Sequence, residues 1–118
     1  MYSSNVSTEG SLKPQNFNIL KLNQSIPVSI DWRTKGVVNH ARHQADCGSC
    51  WAFAAVSALE SQYAIRYDFL PKLSEQFLVD CISPNSTLDK CLGWHEKWAW
   101  EEILSRFNGL VPTGQSYP

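Results

Sequence analysis

Charge of one sign is missing from this sequence. Ten Lys and Arg stand against eleven Asp and Glu in 118 residues, a formal net charge of −1. No basic surplus is left to grip phosphates, which argues against nucleic-acid binding. Long hydrophobic runs are missing too. The longest, Trp51 to Val56, has six residues, where a bilayer span needs about twenty, so no membrane partner is expected. The first residues show neither the basic region nor the apolar region of a signal peptide, and no segment repeats. Histidine is scarce, with His40, His43 and His95 the only three. What is present is apolar: 43% of residues, against 18% charged, enough to fold rather than stay disordered. Five tryptophans favour a packed core or an aromatic-lined cleft. The length suits one small domain or half of a larger one.

Texture changes along the chain. Residues 1–25 are rich in Ser and Asn and have no apolar period, which reads as a linker or propeptide remnant. Residues 26–118 read as the folded part. Ser29 to Val38 mixes β-branched residues with a Lys35-Gly36 turn and predicts extended chain. Trp51, Ala54, Ala55, Ala58, Leu59 and Ile65 then mark one helical stripe, with Ala52, Phe53 and Val56 filling the other side. A helix apolar all round at its start is buried there, so Cys50 should open a central helix. Ser74 is placed to cap a second, short helix, with Leu73 and Leu78 as a hydrophobic staple. Trp100, Ile103, Leu104 and Phe107 stripe a third helix from about His95 to Phe107. Glu102 and Arg106 pair on its outside and Gly109 ends it. Three helices with little strand signal is the coarse picture.

Chemistry concentrates at the cysteines: Cys47, Cys50, Cys81 and Cys91. A zinc site would need a second close Cys/His pair, and Cys81 and Cys91 stand too far apart in sequence for one. A thioredoxin-like dithiol at Cys47-Gly48-Ser49-Cys50 would need a βαβ surround that is not evident. Two structural disulfides remain open, as does a catalytic thiol at a helix start. Amides and dipole there favour a thiolate.

The run Gln44-Ala45-Asp46-Cys47-Gly48-Ser49-Cys50-Trp51-Ala52-Phe53 resembles the active-site segment of the papain family of cysteine peptidases. Asp31-Trp32-Arg33, Leu73-Ser74-Glu75-Gln76 and Ser116-Tyr117-Pro118 are similar to further segments of cathepsin L-like members, in register from Ile26 to Pro118. The resemblance implies an α+β, two-lobed fold, of which these residues cover the mainly helical N-terminal lobe, with the β-rich lobe absent. It implies a thiol endopeptidase acting on peptide or protein substrates without a cofactor or metal. Cys50 would be the nucleophile, with the Gln44 amide and the Cys50 backbone N–H stabilising the oxyanion. Cys47 would be disulfide-bonded to Cys91, with Gly93, Trp94 and Trp51 at the substrate cleft. Cys81 would pair with a cysteine just past Pro118.

Two departures qualify that expectation. The family's base, a His held by an Asn, belongs roughly 130–150 residues beyond the Cys, and none of the three histidines matches it. His40 and His43 read as solvated loop residues, and His95 as a residue at the cleft rim. Trp94 stands where the family has the last glycine of Gly-Cys-Asn-Gly-Gly, so its ring either reshapes the cleft wall or blocks it. Trp98 and Trp100 read as core or lobe-interface aromatics. The 118 residues are therefore expected to be inactive alone and to need the missing C-terminal lobe. The alternative is a non-catalytic lobe that binds as a decoy. Disulfide use and sequons at Asn5, Asn23 and Asn85 point to the secretory route, lysosomal or extracellular.

Overall fold

The computed structural model describes residues 25, 27–82 and 91–118. The lead-in through residue 24 and all three sequon asparagines lie outside the described residues. The chain divides into two compact units, Met1–Ile30 and Asp31–Pro118. In the first, residues 27–30 are exposed and carry no helix or strand.

The second unit is helical. It departs from expectation at its start, where the stretch predicted to be extended contains a turn of 3₁₀ helix, Trp32–Lys35. Local hydrogen bonding explains the correction. The Asp31 carboxylate accepts the Arg33 backbone N–H at 3.0 Å and pairs with its guanidinium at 2.6 Å. Gly36, at φ 69°, closes the turn. A side-chain-capped turn of this kind outweighs the weak extended preference of its neighbours. The same hydrogen bonds hold the Asp31 carboxyl below its usual range.

Helix α1 runs Cys50–Tyr67. Its buried residues are Trp51, Ala52, Ala55, Val56, Glu60 and Ala64. The predicted stripe is thus partly corrected: Ala54 is exposed, and Ile65 is 47% exposed. The first two turns are apolar on every side, so periodicity alone could not choose the inward face. Packing chose the side carrying Ala52 and Val56. Helix α2, Glu75–Phe77, begins as expected at Ser74, whose Oγ accepts the Phe77 N–H at 2.9 Å. It continues into one π-helical turn, Leu78–Ile82, which the sequence did not signal. That turn buries both Leu78 and Ile82.

Helix α3, Glu96–Phe107, presents Ala99 and Ile103 to the core, with Trp100 and Phe107 packed beside them. Leu104, expected on the same stripe, is 68% exposed. Asn108 and Gly109 both take positive φ, and Gly109 N–H donates to the Ile103 carbonyl at 2.9 Å, ending the helix. Ala52, Ala55 and Ala99 are fully buried and keep α1 and α3 close. The Trp100 indole N–H reaches the Ala55 carbonyl at 3.3 Å. Among the described residues there is no strand. A single antiparallel bridge joins Leu73 and Thr113. Among the described residues, no helix is long and apolar enough to cross a membrane.

Candidate active site

Cys50 is the first residue of α1, and its thiol is free and exposed. Ser49 caps the helix only through its backbone carbonyl, which accepts the N–H groups of Ala52 at 2.8 Å and Phe53 at 3.3 Å. Its side chain makes no capping bond and turns to the Cys47 carbonyl instead. The helix therefore opens without a side-chain oxygen over its first amides, and such an end favours an anion.

The loop before Cys50 is fixed by a disulfide between Cys47 and Cys91, whose Cα atoms are 4.5 Å apart. Gly48 N–H donates to the Cys91 carbonyl at 2.8 Å. A Cβ on Gly48 would overlap that same carbonyl, so the contact demands glycine. The Gln44 side-chain amide donates one N–H to the Cys47 carbonyl at 2.7 Å. An amide carries two such hydrogens, and the second is left for another acceptor. Between Gln44 and Cys47 the backbone turns through Ala45 at φ 55°, and the Ala45 N–H is held by His43 Nδ1 at 2.9 Å.

This pairing decides between the readings left open by the four cysteines. A dithiol or a C-x-x-C zinc pair needs Cys47 and Cys50 thiols together, but Cys47 is consumed by Cys91. Two intramolecular disulfides are likewise excluded here, because Cys50 and Cys81 are both free. Among the described residues no three metal-ligating side chains converge.

Trp94 is half-buried. Its ring packs edge-on against Trp51 at 5.1 Å, so the bulk that replaces a glycine is turned toward the core. Trp51 is 2% exposed. Its ring lies against that of Trp94, within the core. Gly93 is exposed at φ 97°, with open space where a Cβ would be. Trp100 lies against the core, and Trp98, 47% exposed, borders Trp94 and His95. His40, His43 and His95 are all exposed, and among the described residues none hydrogen-bonds the Cys50 thiol.

One group escaped the sequence reading altogether. Glu60, 1% exposed, accepts both terminal nitrogens of Arg42 at 3.1 and 2.8 Å, Asn39 Nδ2 at 2.9 Å and Leu73 N–H at 2.7 Å. Arg42 Nε also lies 2.6 Å from Glu75 Oε1, an ion pair outside hydrogen-bond geometry. The signal was available: Val56, Glu60 and Ala64 recur at i, i+4 and i+8, so Glu60 shares their buried face.

A model of the family described as papain family cysteine protease matches residues 26–118. The low-temperature-induced cysteine proteinase of Solanum lycopersicum is 46% identical over 98 residues, covering 83% of this chain and 27% of that protein. Cathepsin S of Bos taurus is 42% identical over 96 residues, covering 81% and 28%. Among solved structures, the bromelain protease from Ananas comosus in complex with the E64 inhibitor aligns with a TM-score of 0.69 at 43% identity. That alignment covers 79% of this chain and 40% of the bromelain chain. The chain therefore spans well under half the length of these relatives. With a helical unit, a free thiol opening its central helix and these matches, the chain belongs to the papain family of cysteine proteases and forms the helical lobe of that fold.

Proposed function

We propose that Cys50 is the nucleophile of a cysteine-type endopeptidase that cleaves peptide bonds through a thioester acyl-enzyme. The observation that carries this reading is the free, exposed Cys50 thiol at the start of α1. The thiolate attacks the scissile carbonyl, and the negative charge moves to the carbonyl oxygen. The Cys50 backbone N–H and the second Gln44 amide hydrogen are its donors. The C–N bond then breaks and the amine leaves with a proton, after which water hydrolyses the thioester. Gly93 and the turn before Trp94 form the wall along which substrate backbone lies. The proton donor for the leaving amine is a histidine oriented by an asparagine on a β-rich lobe. That lobe and the peptide substrate are the partners, and no cofactor takes part. The setting is lysosomal or extracellular.

A second reading, a non-catalytic lobe that binds peptides, draws on Trp94, a large side chain at a position where the family has glycine. The test uses the polypeptide of residues 1–118 with Cys50 reduced. Alone, it cleaves a peptide no faster than its Cys50→Ala variant. General acid–base catalysis is worth roughly 10²–10⁴-fold, and among the described residues no histidine hydrogen-bonds the thiol. Mixed with the β-rich lobe of a papain-family relative, it gains turnover that Cys50→Ala lacks. Cys50-dependent cleavage by residues 1–118 alone would contradict the need for the second lobe and move attention to His95. Peptide binding with no cleavage under either condition would favour the second reading.

A further inference from the structure

Arg42 stands two residues before Gln44, and its partner Glu60 stands on the helix that Cys50 opens. Glu60 lies ten residues along α1 from Cys50, about 15 Å of rigid helix at 1.5 Å per residue. The loop carrying Gln44 is thus referred to α1 twice. Downstream it is tied next to the helix start, by the Cys47–Cys91 disulfide and the Gly48 contact. Upstream it is tied to the middle of the same helix, by the two Arg42–Glu60 hydrogen bonds and by Asn39. Residues 43–46 lie between the two ties, and they contain the positive φ of Ala45.

We infer that Arg42 is a positioning residue, which through Glu60 fixes the Gln44 amide against the Cys47 carbonyl and so relative to Cys50. The inference rests on the reading of Gln44 as an oxyanion donor, but its geometry does not depend on turnover. A guanidinium gripped at both terminal nitrogens by a buried carboxylate cannot swivel. The backbone at Arg42 therefore starts the four-residue span from one fixed direction. Glu75, at 2.6 Å from Arg42 Nε, blocks the remaining edge of the guanidinium. With Arg42 released, the span can relax the left-handed Ala45, and Gln44 loses the register of its bond to Cys47.

The test is water exchange of the Gln44 side-chain amide hydrogens, followed by NMR in residues 1–118 and assigned by loss of the signal in Gln44→Glu. Arg42→Met is expected to speed exchange of the bonded hydrogen about tenfold, the effect of losing roughly one net hydrogen bond. Arg42→Lys, which keeps the charge but not the fork, falls between. The Gly109 N–H, bonded to Ile103 at the far end of α3, serves as the reference. A merely stabilising Arg42 would speed both signals by the same factor, whereas a positioning Arg42 speeds Gln44 alone. Should Arg42→Met fail to fold, Glu75→Gln leaves the Glu60 grip intact, removes the charge at the guanidinium edge, and speeds Gln44 exchange by a smaller factor. Unchanged Gln44 exchange in the folded variants, or a change shared equally by Gly109, overturns the inference. Neither result bears on whether Cys50 cleaves peptides, which the lobe-mixing experiment decides separately.

Discussion

The two ties on the loop before Cys50 differ in kind. The downstream one is covalent, Cys47 to Cys91, on residues that are only half-buried. The upstream one is ionic, and it works because Glu60 is almost wholly covered and the Arg42 side chain is 18% exposed. A disulfide acts mainly by restricting the unfolded chain and needs no dry surroundings. A buried ion pair acts only in the folded state, where its charges satisfy one another, and breaking it strands one of them. The loop is therefore restrained in both states at one end and in the folded state alone at the other.

The largest expected effect comes from the covalent tie. Cys91→Ser opens a loop with a sequence separation of 44, and loop-closure entropy puts the loss at about 4 kcal/mol. Urea unfolding under non-reducing conditions measures it. Next comes Glu60→Gln, which keeps the shape and one acceptor oxygen but removes the charge. A cost of about 1.5–3 kcal/mol is expected from weakened hydrogen bonds to a charged group, again read by urea unfolding. If Glu60→Gln proves neutral, the ionic tie is not a tie. Smaller still is Ser74→Ala, which removes the α2 cap at a cost of about 1 kcal/mol and leaves the disulfide untouched.

The smallest effect is a titration. The Asp80 carboxylate accepts the Tyr117 hydroxyl at 3.0 Å, and chiefly for that reason the phenol is pushed up to about 12. The folded value lies above the ordinary 10.0. The hydrogen bond therefore stabilises the fold below pH 10, and that contribution fades as pH rises toward 12. Phenolate absorbance should show one late-titrating tyrosine, which Asp80→Asn moves to lower pH.

How much of this was legible in the sequence follows from the range of each interaction. The Ser74 cap, the Glu102–Arg106 pair at 3.2 Å and the end of α3 at Gly109 act within a few residues, so local pattern gave them. The Asp31 turn was equally local but was hidden by the β-branched residues around it. Glu60 and Arg42 are 18 residues apart, and nothing near either one names the other. The inward turn of Trp94 depended on Trp51 lying beneath it, a contact made only once α1 and the Cys91 turn meet. The Cys47–Cys91 pairing came from family resemblance, since spacing alone left several pairings open.

The central claim is that Cys50 is a free thiol at the start of α1 because Cys47 is held by Cys91 instead. Peptide mapping by mass spectrometry after brief iodoacetamide treatment of the unreduced, folded chain tests it most directly. The account predicts carbamidomethyl Cys50 first, the less exposed Cys81 more slowly, and an intact Cys47–Cys91 link. A Cys47–Cys50 link, or a Cys50 that stays unmodified while Cys47 reacts, would contradict it.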